Sequence, residues 1–142
     1  MTPMARCFGM LGCAMCILAT GCAVQGDAFQ KSSLQPAQQV VYVYRPYSYF
    51  GSVVKPSVTC GDETARIGPG GYHAFVLPEG KTMCSVETET ADEVEVPNDA
   101  HVHYIREEFG WGVMIGHPHL NPVDHDVAQN EIQTCCVAEK QP

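Results

Sequence analysis

The chain has 142 residues, with 8 basic and 16 acidic side chains and a formal charge of −8. That length holds one domain at most, and the negative balance argues against binding nucleic acid, which requires a basic face to displace counterions. Apolar residues make up 45% and charged residues 17%, a folding composition rather than a disordered one.

Residues 1–21 read MTPMARCFGMLGCAMCILATG, and Arg6 is the only charge among them. The uncharged run 7–20 is shorter than the ~20 apolar residues that cross a ~30 Å bilayer core. It has the length of the apolar region of a secretory signal. It leads into Leu18-Ala19-Thr20-Gly21-Cys22. Small residues before a cysteine resemble the bacterial lipobox. The resemblance implies cleavage before Cys22, a diacylglyceryl group on its thiol and acylation of the new amino terminus. One acyl chain anchors marginally and two or more anchor stably, at about 0.8 kcal/mol per buried CH₂. Ala23, in a place where aspartate would retain a lipoprotein in the inner membrane, implies sorting to the outer membrane.

Cysteine usage agrees with export. Of 8 cysteines, Cys7, Cys13 and Cys16 leave with the signal and Cys22 is lipidated. Cys60, Cys84, Cys135 and Cys136 remain, an even number that reads as disulfides with three possible pairings.

Residues 22–38 are polar after the cysteine and lack periodicity, and read as a flexible tether. From Gln39 the texture changes. Val40-Val41-Tyr42-Val43-Tyr44 is β-branched and aromatic, the composition of a strand, and Pro46 ends it. A loop or broken strand follows over 47–56. Short strands over 57–60 and 63–67 flank the turn Gly61-Asp62, and Gly68-Pro69-Gly70-Gly71 is a second turn. A strand over 72–77 leads to the turn Pro78-Glu79-Gly80-Lys81. Residues 82–90 alternate, with Cys84, Val86 and Thr88 on one side and Ser85, Glu87 and Glu89 on the other. Residues 93–96 repeat the pattern with Val94 and Val96 inward. Strands over 101–108 and 111–115 follow. Asp124 is placed to cap a helix with Val127, Ala128 and Ile132 on one face.

Strands at this spacing predict a mainly β fold: an antiparallel β-sandwich over 39–134 with a short C-terminal helix, and a tail over 135–142. Two segments carry a family resemblance. Val41-Tyr42-Val43-Tyr44-Arg45-Pro46, followed by Gly70-Gly71-Tyr72 and Leu77-Pro78-Glu79-Gly80-Lys81, resembles an uncharacterised family of short bacterial lipoproteins. The second turn is similar to that of PEGA-type surface domains, which are immunoglobulin-like or transthyretin-like sandwiches. The resemblance implies an envelope location and a sandwich, and no chemistry.

Candidate sites are few. Cys60 and Cys84 both point inward by alternation, and a bond between them would close a loop of about 25 residues, stabilising by roughly 3 kcal/mol in the loop-entropy picture. Cys135 and Cys136 have three options: a vicinal bond, a tie from tail to sheet, or a link between molecules. Five of the 6 histidines, His101, His103, His117, His119 and His125, fall within 101–125. With Asp124 or Asp126 they offer donors for zinc or copper, although their spacing is no recognised metal signature. Glu87, Glu89, Glu93 and Glu95 are expected on one solvated hairpin face. Tyr42, Tyr44, Tyr47, Tyr49 and Phe50 cluster about Pro46, as core packing or as a platform for sugars or a protein partner. There is no Gly-x-Ser-x-Gly run, no phosphate-binding glycine loop and no Cys/His pair in a known catalytic context. The sequence therefore points to a non-enzymatic envelope lipoprotein without a cofactor. A lipid anchor holds it at the outer membrane, and it binds another envelope protein or a cell-wall polymer. The alternative is a periplasmic zinc or copper binder.

Overall fold

The structure, a computed structural model, describes residues 26–48, 51–88, 90–110 and 116–142. Cys22, Tyr49, Phe50, Glu89 and the strand expected over 111–115 lie outside the described residues.

The first strand, β1 (Gln38–Arg45), is buried at every position after Gln38. A half-buried strand alternates, whereas a run of Val and Tyr buried on both faces needs cover on each side. Strands β2 (Ser57–Cys60) and β3 (Glu63–Arg66) form a hairpin whose turn holds Gly61 at a φ of +58°. Strand β4 (Gly71–Pro78) returns antiparallel to β1, with Gly71 opposite Arg45. Strands β5 (Thr82–Glu87) and β6 (Ala91–Val96) make a second hairpin, and β5 also pairs with β2. Strand β7 (Val102–Gly110) leads to β8 (His117–Pro122), antiparallel to it. Helix α1 (His125–Cys135) and the two-residue strand β9 (Val137–Ala138) end the fold.

These elements form two sheets, ordered β8-β7-β1-β4-β9 and β3-β2-β5-β6. The expected mainly β sandwich with a short C-terminal helix is the observed architecture. Its first sheet is mixed, however: β1 pairs in parallel with β7, and β4 with β9. Between β4 and β7 the chain crosses into the second sheet and returns, so β7 enters beside β1 in the same direction.

Two apolar cores result. Between the sheets lie Val41, Val43, Val58, Phe75, Val86, Ile105 and Leu120, among others. On the other face of the first sheet, Val40, Tyr42, Tyr44, Tyr72 and Tyr104 pack with Ala128, Ile132 and Cys136. The segment 26–38, expected as a free tether, joins this second core. Phe29 sits edge-on to Tyr42 and Tyr72 at 5.1 and 5.2 Å. The Ser32 amide donates to the Tyr42 hydroxyl at 2.7 Å, and Ala28 bridges Val137. Burial of one aromatic ring offsets the ordering of a few polar residues, which composition alone does not reveal.

The Asp124 cap is as expected, its carboxylate accepting from the Asp126 amide at 3.1 Å. The helix face differs by one residue. Ala128 and Ile132 are buried while Val127 is exposed, because Val127 lies about 100° round the axis from the stripe that positions four apart define. Polar contacts fix the helix to the sheet. The Tyr44 hydroxyl donates to Glu131 Oε2 at 2.6 Å, and Arg106 Nη1 donates to both Glu131 oxygens at 2.9 and 3.1 Å. Burial and the bond to Glu131 both raise the Tyr44 pKa, so the phenol stays a donor. No helix among the described residues is long and apolar enough to cross a membrane.

The Ile132→Ala substitution empties the contact that seats α1. Urea denaturation is expected to show a loss of about 2–5 kcal/mol, and a loss under 1 kcal/mol would mean that the helix is not part of the cooperative fold.

Candidate functional site

Cys60 and Cys84 are register partners on β2 and β5, fully buried and joined by a disulfide, with Cα atoms 4.1 Å apart. Alternation places both inward, as read from the sequence. Cys135 and Cys136 are bonded to each other at the end of α1, where the Cys136 amide still donates to the Ile132 carbonyl at 3.2 Å. Of the three options this is the vicinal one.

The five histidines do not converge. His101 lies 3.5 Å from a Glu79 oxygen. His117 and His119 stand exposed on β8, next to Thr90 and Asp92 respectively. His103 Nε2 contacts the Ala100 carbonyl oxygen at 2.8 Å, and His125 lies beside Asp126 and edge-on to the Tyr104 ring. His103 and His125 share a cleft of about 150 Å³, with Glu95, Asp99 and Tyr104 along its wall. Among the described residues no group of three or more His, Cys, Asp or Glu side chains is placed to hold a metal ion. A divalent centre needs convergent ligands, so the zinc or copper reading finds no built centre there.

The acidic hairpin is exposed at Glu87, Glu93 and Glu95, as expected. The register relieves its repulsion: Glu93 faces Ser85, Glu95 faces Met83, and Lys81 reaches Glu95 at 3.2 Å. Asp92 turns to the other side and accepts from the Leu120 amide at 2.7 Å. Of the aromatic group, Tyr42 and Tyr44 are core residues and Tyr47 is 67% exposed.

The most unusual chemistry lies where β1 ends, at residues the motif search passed over. Arg45 is 2% exposed and Glu107 is 1% exposed. Parity explains both: Arg45 continues the inward face of Val41 and Val43, and Glu107 continues that of Ile105. That alternation is the signal the sequence held. Arg45 Nη1 donates to the carbonyls of Val54 and Ile67 at 2.7 and 3.3 Å, and Nη2 donates to that of Gly51 at 2.6 Å. Its guanidinium lies 4.2 Å from the centre of the Phe109 ring. Arg45 thereby ties down the loop after β1 by a charge-assisted set of bonds. Gly51 has a φ of +71°, and a Cβ there would meet the Phe109 ring at 2.8 Å, so glycine is needed for this approach.

Neither carboxyl oxygen of Glu107 has a hydrogen-bond partner among the described residues. Burial pushes its pKa up to about 8; Arg45 pulls it down, and Glu139 adds a smaller push upward. Glu139 itself is held by Lys55 at 2.6 Å and by the Gly68 amide. Beside this pair a cavity of about 240 Å³ is lined by Arg45, Pro46, Tyr47, Ser48, Glu107, Glu108 and Phe109.

Comparison with protein-family models, curated proteins and solved structures finds no match to this chain.

Two outcomes follow. Replacing both Cys60 and Cys84 by Ala is expected to cost roughly 3 kcal/mol in urea denaturation, within a range of about 2–5. The second concerns pH. Between the ordinary carboxyl value of 4.5 and about 8 the unfolded chain has released the Glu107 proton while the folded chain keeps it. Stability from this group is therefore full below the lower value, falls as pH rises through the window, and levels off above it. Glu107→Gln removes that fall. The variant is expected to match the wild type near ~pH 4 and to exceed it by a few kcal/mol near ~pH 8. Parallel curves for the two proteins would show that Glu107 does not carry the effect.

Proposed function

We propose that this chain is an exported, non-enzymatic binding module, held at the bacterial envelope by lipid on Cys22. The observation that carries the reading is the buried disulfide between the register partners Cys60 and Cys84. Disulfides of this structural kind form and persist in oxidising compartments, which fits the signal-like run of residues 1–21 and the small residues before Cys22. The absence of a nucleophile motif and the solvated acidic hairpin favour binding over catalysis. The partner is an envelope protein or a cell-wall polymer, and the acidic surface makes nucleic acid a poor one. The resemblance to short bacterial lipoproteins and PEGA-type domains supports the same location.

The packing of 26–38 refines the picture of the anchor. Only residues 23–25 separate Cys22 from Gly26, the first described residue. Four extended steps reach at most about 14 Å, so a lipid on Cys22 would hold the sandwich against the bilayer surface.

Cells expressing the protein with radiolabelled palmitate test the anchor. The wild type is expected to take up label and to shift to a longer, unlabelled precursor with globomycin, and Cys22→Ala is expected to take up none. An unlabelled wild type that keeps its first methionine would end the lipoprotein reading.

A further inference from the structure

We propose that the Cys135–Cys136 bond is a thiol-exchange site: an external dithiol opens it, and the opening undocks residues 137–142 and the segment they hold before β1. The proposal goes beyond the reading of this chain as a binding module, and it is independent of the anchor.

The first observation is the contrast between the two disulfides. Cys60 and Cys84 are 24 positions apart, lie on different strands and are both 0% exposed. Cys135 and Cys136 are one position apart. The restriction that a disulfide places on the unfolded chain grows with the loop it closes, and no loop is shorter than this one. Chain restriction is therefore a poor account of the second bond. Cys136 is 4% exposed, whereas Cys135 keeps part of its surface in solvent, so the pair is open on the Cys135 side. Accessible disulfides are the more readily reduced kind.

The second observation is the joint that the bond spans. Helix α1 ends at Cys135 and β9 begins at Val137, so Cys136 alone lies between them. A helix that stops this sharply commonly uses a glycine or asparagine with positive φ after its last turn. Cys136 is instead extended, at φ −134° and ψ 144°, while its amide still donates to the Ile132 carbonyl. A covalent ring through the two side chains holds the backbone at the point where it turns from helical to extended.

The third is what depends on that joint. The Val137 amide donates to the Gly70 carbonyl at 3.0 Å, and the Ala138 amide donates to that of Asp27 at 2.8 Å. Ala28 bridges Val137. Glu139 accepts from Lys55 and from the Gly68 amide. On the edge strand β3 the Arg66 amide donates to Gln141 Oε1 at 2.8 Å, and Gln141 Nε2 donates back to the Arg66 carbonyl at 3.0 Å. The tail thus touches β4, β3 and the segment before β1, mostly by polar bonds near the surface. Segments held in this way open at low free energy, so the fixed start of the tail decides whether it stays docked.

The chemistry is a two-step exchange. A thiolate of the external dithiol attacks Cys135 Sγ, forming a mixed disulfide, and Cys136 Sγ leaves as a thiolate that takes up a proton. The second thiol of the reductant then attacks its own sulfur in the mixed disulfide and releases Cys135 as a thiol. The reductant ends as a disulfide, having given up two electrons and two protons.

The full-length protein, purified without reductant, tests this with dithiothreitol as the dithiol. Free thiols are blocked with iodoacetamide and located by peptide mass spectrometry. Cys135 and Cys136 are expected to be bonded at the start and to become alkylated at about tenfold less dithiothreitol than Cys60 and Cys84. Hydrogen exchange at the Val137, Ala138 and Arg66 amides is expected to rise about tenfold on that reduction and to fall back on reoxidation. The Cys135→Ser, Cys136→Ser double variant is expected to exchange like the reduced wild type whether or not dithiothreitol is present. If that variant does not fold, the cycle of reduction and reoxidation in the wild type decides alone. Three results would overturn the site: alkylation of Cys135 and Cys136 before any reductant is added, reduction only together with Cys60 and Cys84, or unchanged exchange in the reduced protein. Cys22→Ala is expected to behave as the wild type does, so failure of the anchor and failure of the site are read separately.

Discussion

Burial of β1 on both faces is the constraint from which the remaining architecture follows. A strand of Val and Tyr with no solvent face cannot sit in a two-layer sandwich at an open surface. One side is covered by the second sheet, through Val58, Val86 and their neighbours. The other is covered by α1 and by the chain that precedes β1, through Ala128, Ile132 and Phe29. The mixed sheet is part of the same solution. With β4 on one side and β7 on the other, β1 has no free edge, and its backbone groups are paired along both. The short β9 extends the sheet past β4 and gives residues 27–28 something to rest on.

The polar end grows out of this geometry. A strand that alternates strictly will carry whatever its last inward position holds into the interior. In β1 that residue is Arg45, and in the parallel neighbour β7 the inward face of Ile105 runs on through Glu107 to Phe109. Arg45 and Glu107 were not recruited as a close ion pair: Arg45 spends its donors on the carbonyls of Gly51, Val54 and Ile67. Backbone carbonyls satisfy a guanidinium without neutralising it. Its partner carboxyl is left to lower the cost of burial by holding a proton, which is why its pKa rises despite a nearby cation. Loop organisation and an uncommitted acid are thus two consequences of one register.

Much of the sandwich was legible because its signals are local. Turns at Gly61, Gly70 and Gly80 and alternation in β5 mark elements without reference to anything distant, and the inward parity of Cys60 and Cys84 foretold their bond. What was not legible depends on long-range pairing. Nothing near Val102 says that β7 will run parallel to β1, and nothing near Phe29 says that its ring will meet Tyr42 and Tyr72. The histidines illustrate the opposite error. Five within 25 positions look like a group, yet His117 and His119 point out from β8 while His101 lies by Glu79. Nearness in sequence is a weak guide when a strand pair separates neighbours across a sheet. The buried Arg45 and Glu107 were visible as charged residues at inward positions, a signal that asks for parity to be followed to the end of a strand.

The proposed anchor and the cavity would be connected by the fold. Asp27 accepts from the Ala138 amide, Ala138 is the register partner of Tyr72, and Tyr72 faces Tyr44, the residue before Arg45. The chain therefore enters the first sheet at the end where the cavity lies. With lipid on Cys22 and a reach of about 14 Å to Gly26, that end would be turned toward the bilayer. A long tether would have left the orientation free; it is the packing of Phe29 into the second core that couples the two. Loss of that packing would lengthen the proposed tether by more than ten residues and free the orientation of the sandwich without altering Cys22 or the Glu107 carboxyl.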